Sequence, residues 1–115
     1  MTILRPAKPE ALGELEQLIL LAVLRLEDEA YGVMIVEELA ARTGRKISRP
    51  SVYLTLGRLE EKGLLRSRMG DPTPERGGRA KRYYVVSAMA MALLRESRRA
   101  YLNLCSGLEP LLDRR

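Results

Sequence analysis

Four side chains near the middle of the chain, Arg49, Ser51, Thr55 and Arg58, have the chemistry to bind an anion. A guanidinium forms paired hydrogen bonds to a phosphate or to the edge of a guanine, and hydroxyls add single bonds. Their spacing puts them on one side of a helix, because Val52, Leu56 and Leu59 recur at helical intervals on the other. Lys46 and Ser48 extend the polar set toward the N-terminus, and Tyr53 stands on its flank.

Acid–base and metal chemistry have much less to work with. The 115 residues contain no His, which removes the commonest general base and the commonest transition-metal ligand. The single cysteine, Cys105, can make neither an internal disulfide nor a cysteine metal cluster, and reads as a small apolar residue. No catalytic residue, metal or cofactor is expected. Carboxylate chemistry is the remaining enzymatic route, and Glu60-Glu61 reads instead as an exposed helix flank.

The charge pattern supports polyanion binding. The formal net charge is +5, unevenly spread. Residues 1–38 hold three basic residues (Arg5, Lys8, Arg25) against eight acidic ones, and residues 39–115 hold seventeen against seven. Between Leu39 and Leu59 there is no acid, but there are Arg42, Arg45, Lys46, Arg49 and Arg58. One basic face meeting a polyanion is the reading, with ordinary solvated surface as its bland counterpart.

The residues at 48–63 need a frame. Ser48 is a suitable N-cap, Pro50 sits in the first turn, and Gly63 is placed to stop the helix. A helix at about 32–43, opened by Tyr31-Gly32 and stopped at Gly44, precedes it. Two short helices around a brief Gly-containing turn make a helix-turn-helix. Behind it, residues 64–69 and 81–86 read as strands around a Gly- and Pro-dense segment, 70–80. Residues 66–82 carry six basic and two acidic residues, so this hairpin forms a basic wing; Arg76, Arg79 and Lys81 suit the DNA backbone or the adjacent minor groove. Tyr83 and Tyr84 must point to opposite faces of their strand, one toward the core.

The first helix, about 10–27, is apolar nearly all round: Leu12, Leu15, Leu18, Ile19, Ala22, Val23 and Leu26 form a stripe that Leu20, Leu21 and Leu24 widen. A last helix, from Ser87 to about Cys105 or Ser106, shares the excess through Met91, Leu94, Tyr101, Leu104 and Cys105. Gly107 and Pro110 end it. Two over-hydrophobic helices in a small chain point to a second copy, with Leu15, Leu18, Leu21, Leu94, Tyr101, Leu104 and Cys105 as contacts. The longest apolar run, Leu18–Leu24, is only about a third of a membrane span, and the N-terminus lacks a signal-peptide core, so a cytoplasmic protein is expected.

Together these features resemble the PadR-type transcriptional regulators, in the compact form with one C-terminal helix. The carriers are the leucine-rich first helix, Tyr31-Gly32, the run from Ser51 to Leu64, and Gly77 to Tyr84 in the wing. Where that family usually shows Leu-Thr after the wing and a Gly three residues beyond the Thr, this chain has Val86-Ser87 and Ala90. Drug-binding members of the compact group use an aromatic residue at the dimer interface; this chain has no Trp, and Tyr101 is the only aromatic residue of its last helix. The resemblance implies that Tyr53 reaches a phosphate oxygen. Tyr31 either does the same or staples the second helix.

The expected fold is mainly α with a small β-hairpin: a winged helix-turn-helix with an added C-terminal dimerisation helix. Its parts are a flexible arm at 1–9, a DNA-binding domain at 10–87, and a dimerisation helix and tail at 88–115. The expected function is a homodimeric, sequence-specific regulator of double-stranded DNA, a repressor acting at a pseudo-palindromic operator. The alternative is a winged helix that docks a partner protein without DNA. No residue names a small-molecule effector.

Overall fold

The computed structural model describes residues 12–71 and 80–114. The proposed arm at 1–9 and the wing candidates Arg76 and Arg79 lie outside them. The order is α1 (Glu14–Leu26), a 3-10 turn (Glu27–Glu29), α2 (Gly32–Thr43), α3 (Arg49–Glu61), β1 (Leu65–Met69), β2 (Arg82–Val86), α4 (Ala88–Cys105) and α5 (Glu109–Leu112).

α1 is the central element. Ile19, Leu20, Ala22 and Val23 are buried along it, and Ile35 and Leu39 of α2 and Val52, Leu56 and Leu59 of α3 close around them. Leu64 and Leu65 bring the hairpin into the same core, and Ala90 and Leu94 bring α4. The strands are antiparallel, with Leu65 opposite Val86 and Met69 opposite Arg82. A third short segment joins them: the Tyr84 amide donates to the Ala30 carbonyl at 2.9 Å, and Tyr31 bridges Tyr83. The wing is thereby fastened to the start of α2.

Both ends of α3 are fixed by local chemistry. Ser48 Oγ accepts from the Ser51 amide at 3.2 Å. At the other end the Leu64 amide reaches the Leu59 carbonyl at 2.9 Å and the Gly63 amide reaches Glu60 at 3.0 Å. That double closure is a Schellman motif, and it needs a residue with positive φ; Gly63 has φ 75°. Ser87 caps α4 in the way Ser48 caps α3, accepting from the Ala90 amide at 3.2 Å.

Some expectations change. α1 begins at Glu14, after Gly13, whose amide donates to Glu16 Oε1 at 2.9 Å. Pro110 ends nothing: it lies in the first turn of α5, where a proline costs no hydrogen bond. Glu60 is no free flank, since its carboxylate accepts from Ser67 Oγ, which in turn accepts from Arg82 at 2.9 Å. This relay ties α3 to both strands.

Glu16 also receives Lys62 Nζ at 2.6 Å, joining the start of α1 to the end of α3. Burial works to raise its pKa, but the Lys62 hydrogen bond, the Gly13 amide and the charges of Lys62 and Arg58 outweigh it and hold the pKa below 4.5. A lowered folded-state pKa adds stability above the unfolded value and loses it as pH falls through the folded one. The melting temperature of the wild type should therefore decline below pH 4.5 partly through this group. Glu16→Gln should flatten that acid limb and lower the melting temperature near neutrality. An unchanged pH profile would remove Glu16 from the account.

Candidate nucleic-acid interface

The outer side of α3 is open along its length. Arg49, Pro50, Ser51, Tyr53, Leu54, Gly57 and Arg58 are all exposed, whereas Val52, Leu56 and Leu59 are buried. Thr55 departs from its expected role. It is only 7 % exposed, and its Oγ1 donates to the Ser51 carbonyl at 2.8 Å. A threonine can bury its methyl while bonding the preceding turn, so its hydroxyl serves the helix. Ser48 has a divided role, because its hydroxyl also donates to Ser51 Oγ at 2.8 Å while serving as the cap. The Ser51 hydroxyl keeps its proton for an outside acceptor.

Ion pairing sorts the basic cluster. Arg45 is taken by Glu14 at 2.7 Å, and Arg42 shares Glu38 with Arg25, both at 3.1 Å. Arg58 lies where its charge acts on Glu16, on the α1 side of the helix. Lys46 and Arg49 are exposed, and neither forms an ion pair among the described residues. The cationic capacity therefore concentrates at the N-terminal end of α3.

Beside this end lies a groove of about 510 Å³ lined by Tyr31, Gly32, Tyr53, Lys81, Arg82 and Tyr84, with no acidic residue lining it among the described residues. Its walls are interlocked. Lys81 Nζ sits 4.3 Å from the centre of the Tyr31 ring, and Tyr31 meets Tyr83 edge-on at 5.5 Å. Arg68 covers Tyr83 at 4.9 Å. Cation–π pairs of this kind hold the charged groups against the aromatic face. Tyr31 is thus a staple between α2 and the wing, and it also lines the groove. Tyr84 is the tyrosine packed against the core, and burial raises its pKa despite nearby Arg82. Tyr83 is then the one facing away from the core, and Leu54 and Arg68 join the surface without having been singled out by their sequence pattern. The alternation of β1 was the available signal for Arg68, since its cross-strand partner is Tyr83.

Gly32 makes the groove possible. A Cβ there would lie 2.3 Å from Tyr53 Cε1 and 2.9 Å from its hydroxyl. The ring is the mobile partner, so Gly32→Ala should move Tyr53 without unfolding the protein. Alanine also suits a helix better than glycine, by about 1 kcal/mol. The expected outcome is an unchanged or slightly raised melting temperature with DNA affinity down about fivefold, as for loss of one hydrogen bond of about 1 kcal/mol. Measuring Tyr53→Ala with and without Gly32→Ala checks it: the glycine change should add nothing once the ring is gone.

The expected dimer residues separate into groups. Leu21, Tyr101 and Leu104 are exposed, and Cys105 is partly so. Leu94 is only 8 % exposed and belongs to the monomer core, because α4 crosses the body of the domain there. Leu15 and Leu18 pack partly on that core. Leu15 faces Thr55 and Arg58, whereas Leu18 lines an apolar groove of about 550 Å³ between α1 and α4.

This geometry has counterparts. The family model for the transcriptional regulator PadR-like family matches residues 20–96, well over half of the chain. The chain belongs to that family. PadR proteins are transcription regulators, not enzymes, and the winged-helix fold here is theirs. A PadR regulator from Eggerthella lenta is similar at 30 % identity and TM-score 0.64, over 86 % of this chain and 84 % of that one. One from Clostridium difficile shares 21 % identity at TM-score 0.71, over 87 % and 99 %. Bordetella bronchiseptica BpsR, whose DNA binding is regulated by 6-hydroxynicotinic acid, shares the fold at 20 % identity and TM-score 0.61, over 91 % and 74 %. No curated protein matches the sequence. Among the described residues, no helix is long and apolar enough to cross a membrane.

Proposed function

We propose that this PadR-family regulator binds a pseudo-palindromic double-stranded operator as a homodimer and represses transcription there. The observation that carries the reading is the N-terminal end of α3: Lys46, Arg49 and Ser51 are exposed beside a groove lined by Tyr53, Lys81 and Arg82. In this reading α3 enters the major groove, Arg49 and Ser51 meet base edges or phosphates, and Tyr53 and Lys81 grip the backbone. Arg76 and Arg79, outside the described residues, are further backbone contacts in this reading. Two such helices read half-sites roughly one helical turn apart.

The second copy covers the α1–α4 groove. Leu18, Leu21, Leu24, Met91, Tyr101 and Leu102 line it, and Leu104, Leu108, Leu111 and Leu112 are further exposed leucines toward the C-terminus. Patches of that extent on a small chain mark an interface.

The test is selection of bound duplexes from a randomised library, followed by a salt titration on the selected site. A palindromic consensus and a steep fall of affinity with salt, corresponding to about 6–10 neutralised phosphates, are expected. No consensus and no salt slope would leave the protein-docking winged helix as the better reading.

A further inference from the structure

The middle of the outer face of α3 is apolar. Leu54 stands there 59 % exposed, one turn from Pro50 on one side and from Gly57 on the other. Gly57 presents no side chain, and a Cβ added to it would meet nothing within 4 Å. The polar groups Arg49 and Ser51 lie toward one end, and Arg58 lies on the flank facing Glu16. A leucine left in water between two residues of low relief serves no packing within the domain. Glycine at this place lets the helix backbone approach a surface closely.

Resting on the operator-binding reading above, we propose that Leu54 reads the C5-methyl group of a thymine in each half-site. In the major groove the thymine methyl is the one apolar group that a base pair displays, and an aliphatic side chain at the centre of the inserted face has no other complementary target. The contact distinguishes a T·A pair from the others by burial of a methyl against a methyl. Arg49 and Ser51 supply the hydrogen-bonded part of the readout. Gly57 admits the helix deeply enough for the leucine to reach the base edge.

The experiment uses the full-length protein and the duplex it selects from the randomised library. Each thymine is replaced in turn by deoxyuridine, which removes only the methyl, and binding is followed by fluorescence anisotropy. At one thymine per half-site, replacement should weaken wild-type binding about fourfold, the value of one buried methyl, and about fifteenfold when both half-sites are changed. L54A, which changes both copies, should lose about fifteenfold on the thymine duplex and nothing further on the duplex with deoxyuridine in both half-sites. Circular dichroism melts of L54A should match the wild type, because the side chain is exposed. If no deoxyuridine replacement weakens the wild type, or if L54A and deoxyuridine losses multiply, the assignment fails while operator binding stands. If the wild type selects no sequence at all, the operator reading fails and this inference with it.

Discussion

Tyr101→Glu combined with Leu104→Glu should convert the protein to a monomer and weaken operator binding about 100-fold or more. Tyr101 is 70 % exposed and Leu104 80 % exposed, near the C-terminal end of α4. The buried residues of that helix, Ala90 and Leu94, both lie in its first half, so the second half gives the domain little packing. Exposed substitutions rarely shift stability by more than about 0.5 kcal/mol, so the monomer should retain its fold. Carboxylates buried between two copies would face the opposite situation, a charge taken out of water without a partner. Joining two half-site readers makes the second binding event intramolecular, and such linkage raises affinity by about 10²–10⁴. Light scattering after size exclusion reads the mass, and anisotropy on the selected duplex reads the affinity. A variant that stays dimeric with wild-type affinity would place the interface elsewhere. Leu21→Glu, on the α1 side of the same groove, is the independent check.

What was legible in the sequence was what local chemistry decides. α3 was expected at 48–63 and is found at Arg49–Glu61, because a serine cap and a glycine at positive φ set its ends without reference to the rest of the chain. The two strands and α2 fell within a residue of their expected limits for similar reasons. Tertiary packing decided the rest. A polar residue at a helical position can face either way, and Thr55 turned inward because its methyl fits the core and its hydroxyl finds the Ser51 carbonyl. Leu94 looked like a dimer contact because a leucine stripe does not reveal which part of it a neighbouring domain surface covers. Pro110 was read as a stop, though the same ring geometry suits a helix start. The basic run from Arg42 to Arg58 looked uniform in sequence, and acids up to 31 residues away divided it, as Glu14 shows by capturing Arg45.

That division sets the second large expectation. Arg49→Ala should weaken operator binding by about 1–3 kcal/mol, roughly 5- to 150-fold, if its guanidinium bonds a guanine edge, and relax the base preference at one position. Arg45→Ala should weaken it far less, because Arg45 is already committed to Glu14 at 2.7 Å. Arg58→Ala should also be mild, since the charge of Arg58 is directed toward Glu16. The three arginines carry the same charge in one basic stretch of the chain, so an account based on net charge predicts equal losses and equal reductions of the salt slope. The observed pairing implies a hierarchy, Arg49 far above Arg45 and Arg58. Binding isotherms for the three variants at two salt concentrations separate these cases. A phosphate role for Arg49 would appear as a uniform loss across sequences with the salt slope reduced by about one phosphate, whereas a base-reading role leaves the slope nearly intact and narrows the loss to sites carrying the preferred base. Equal losses for all three would mean that Arg45 leaves Glu14 and Arg58 turns away from Glu16 when DNA binds, and that the acid end of α1 acts as a competitor for the operator.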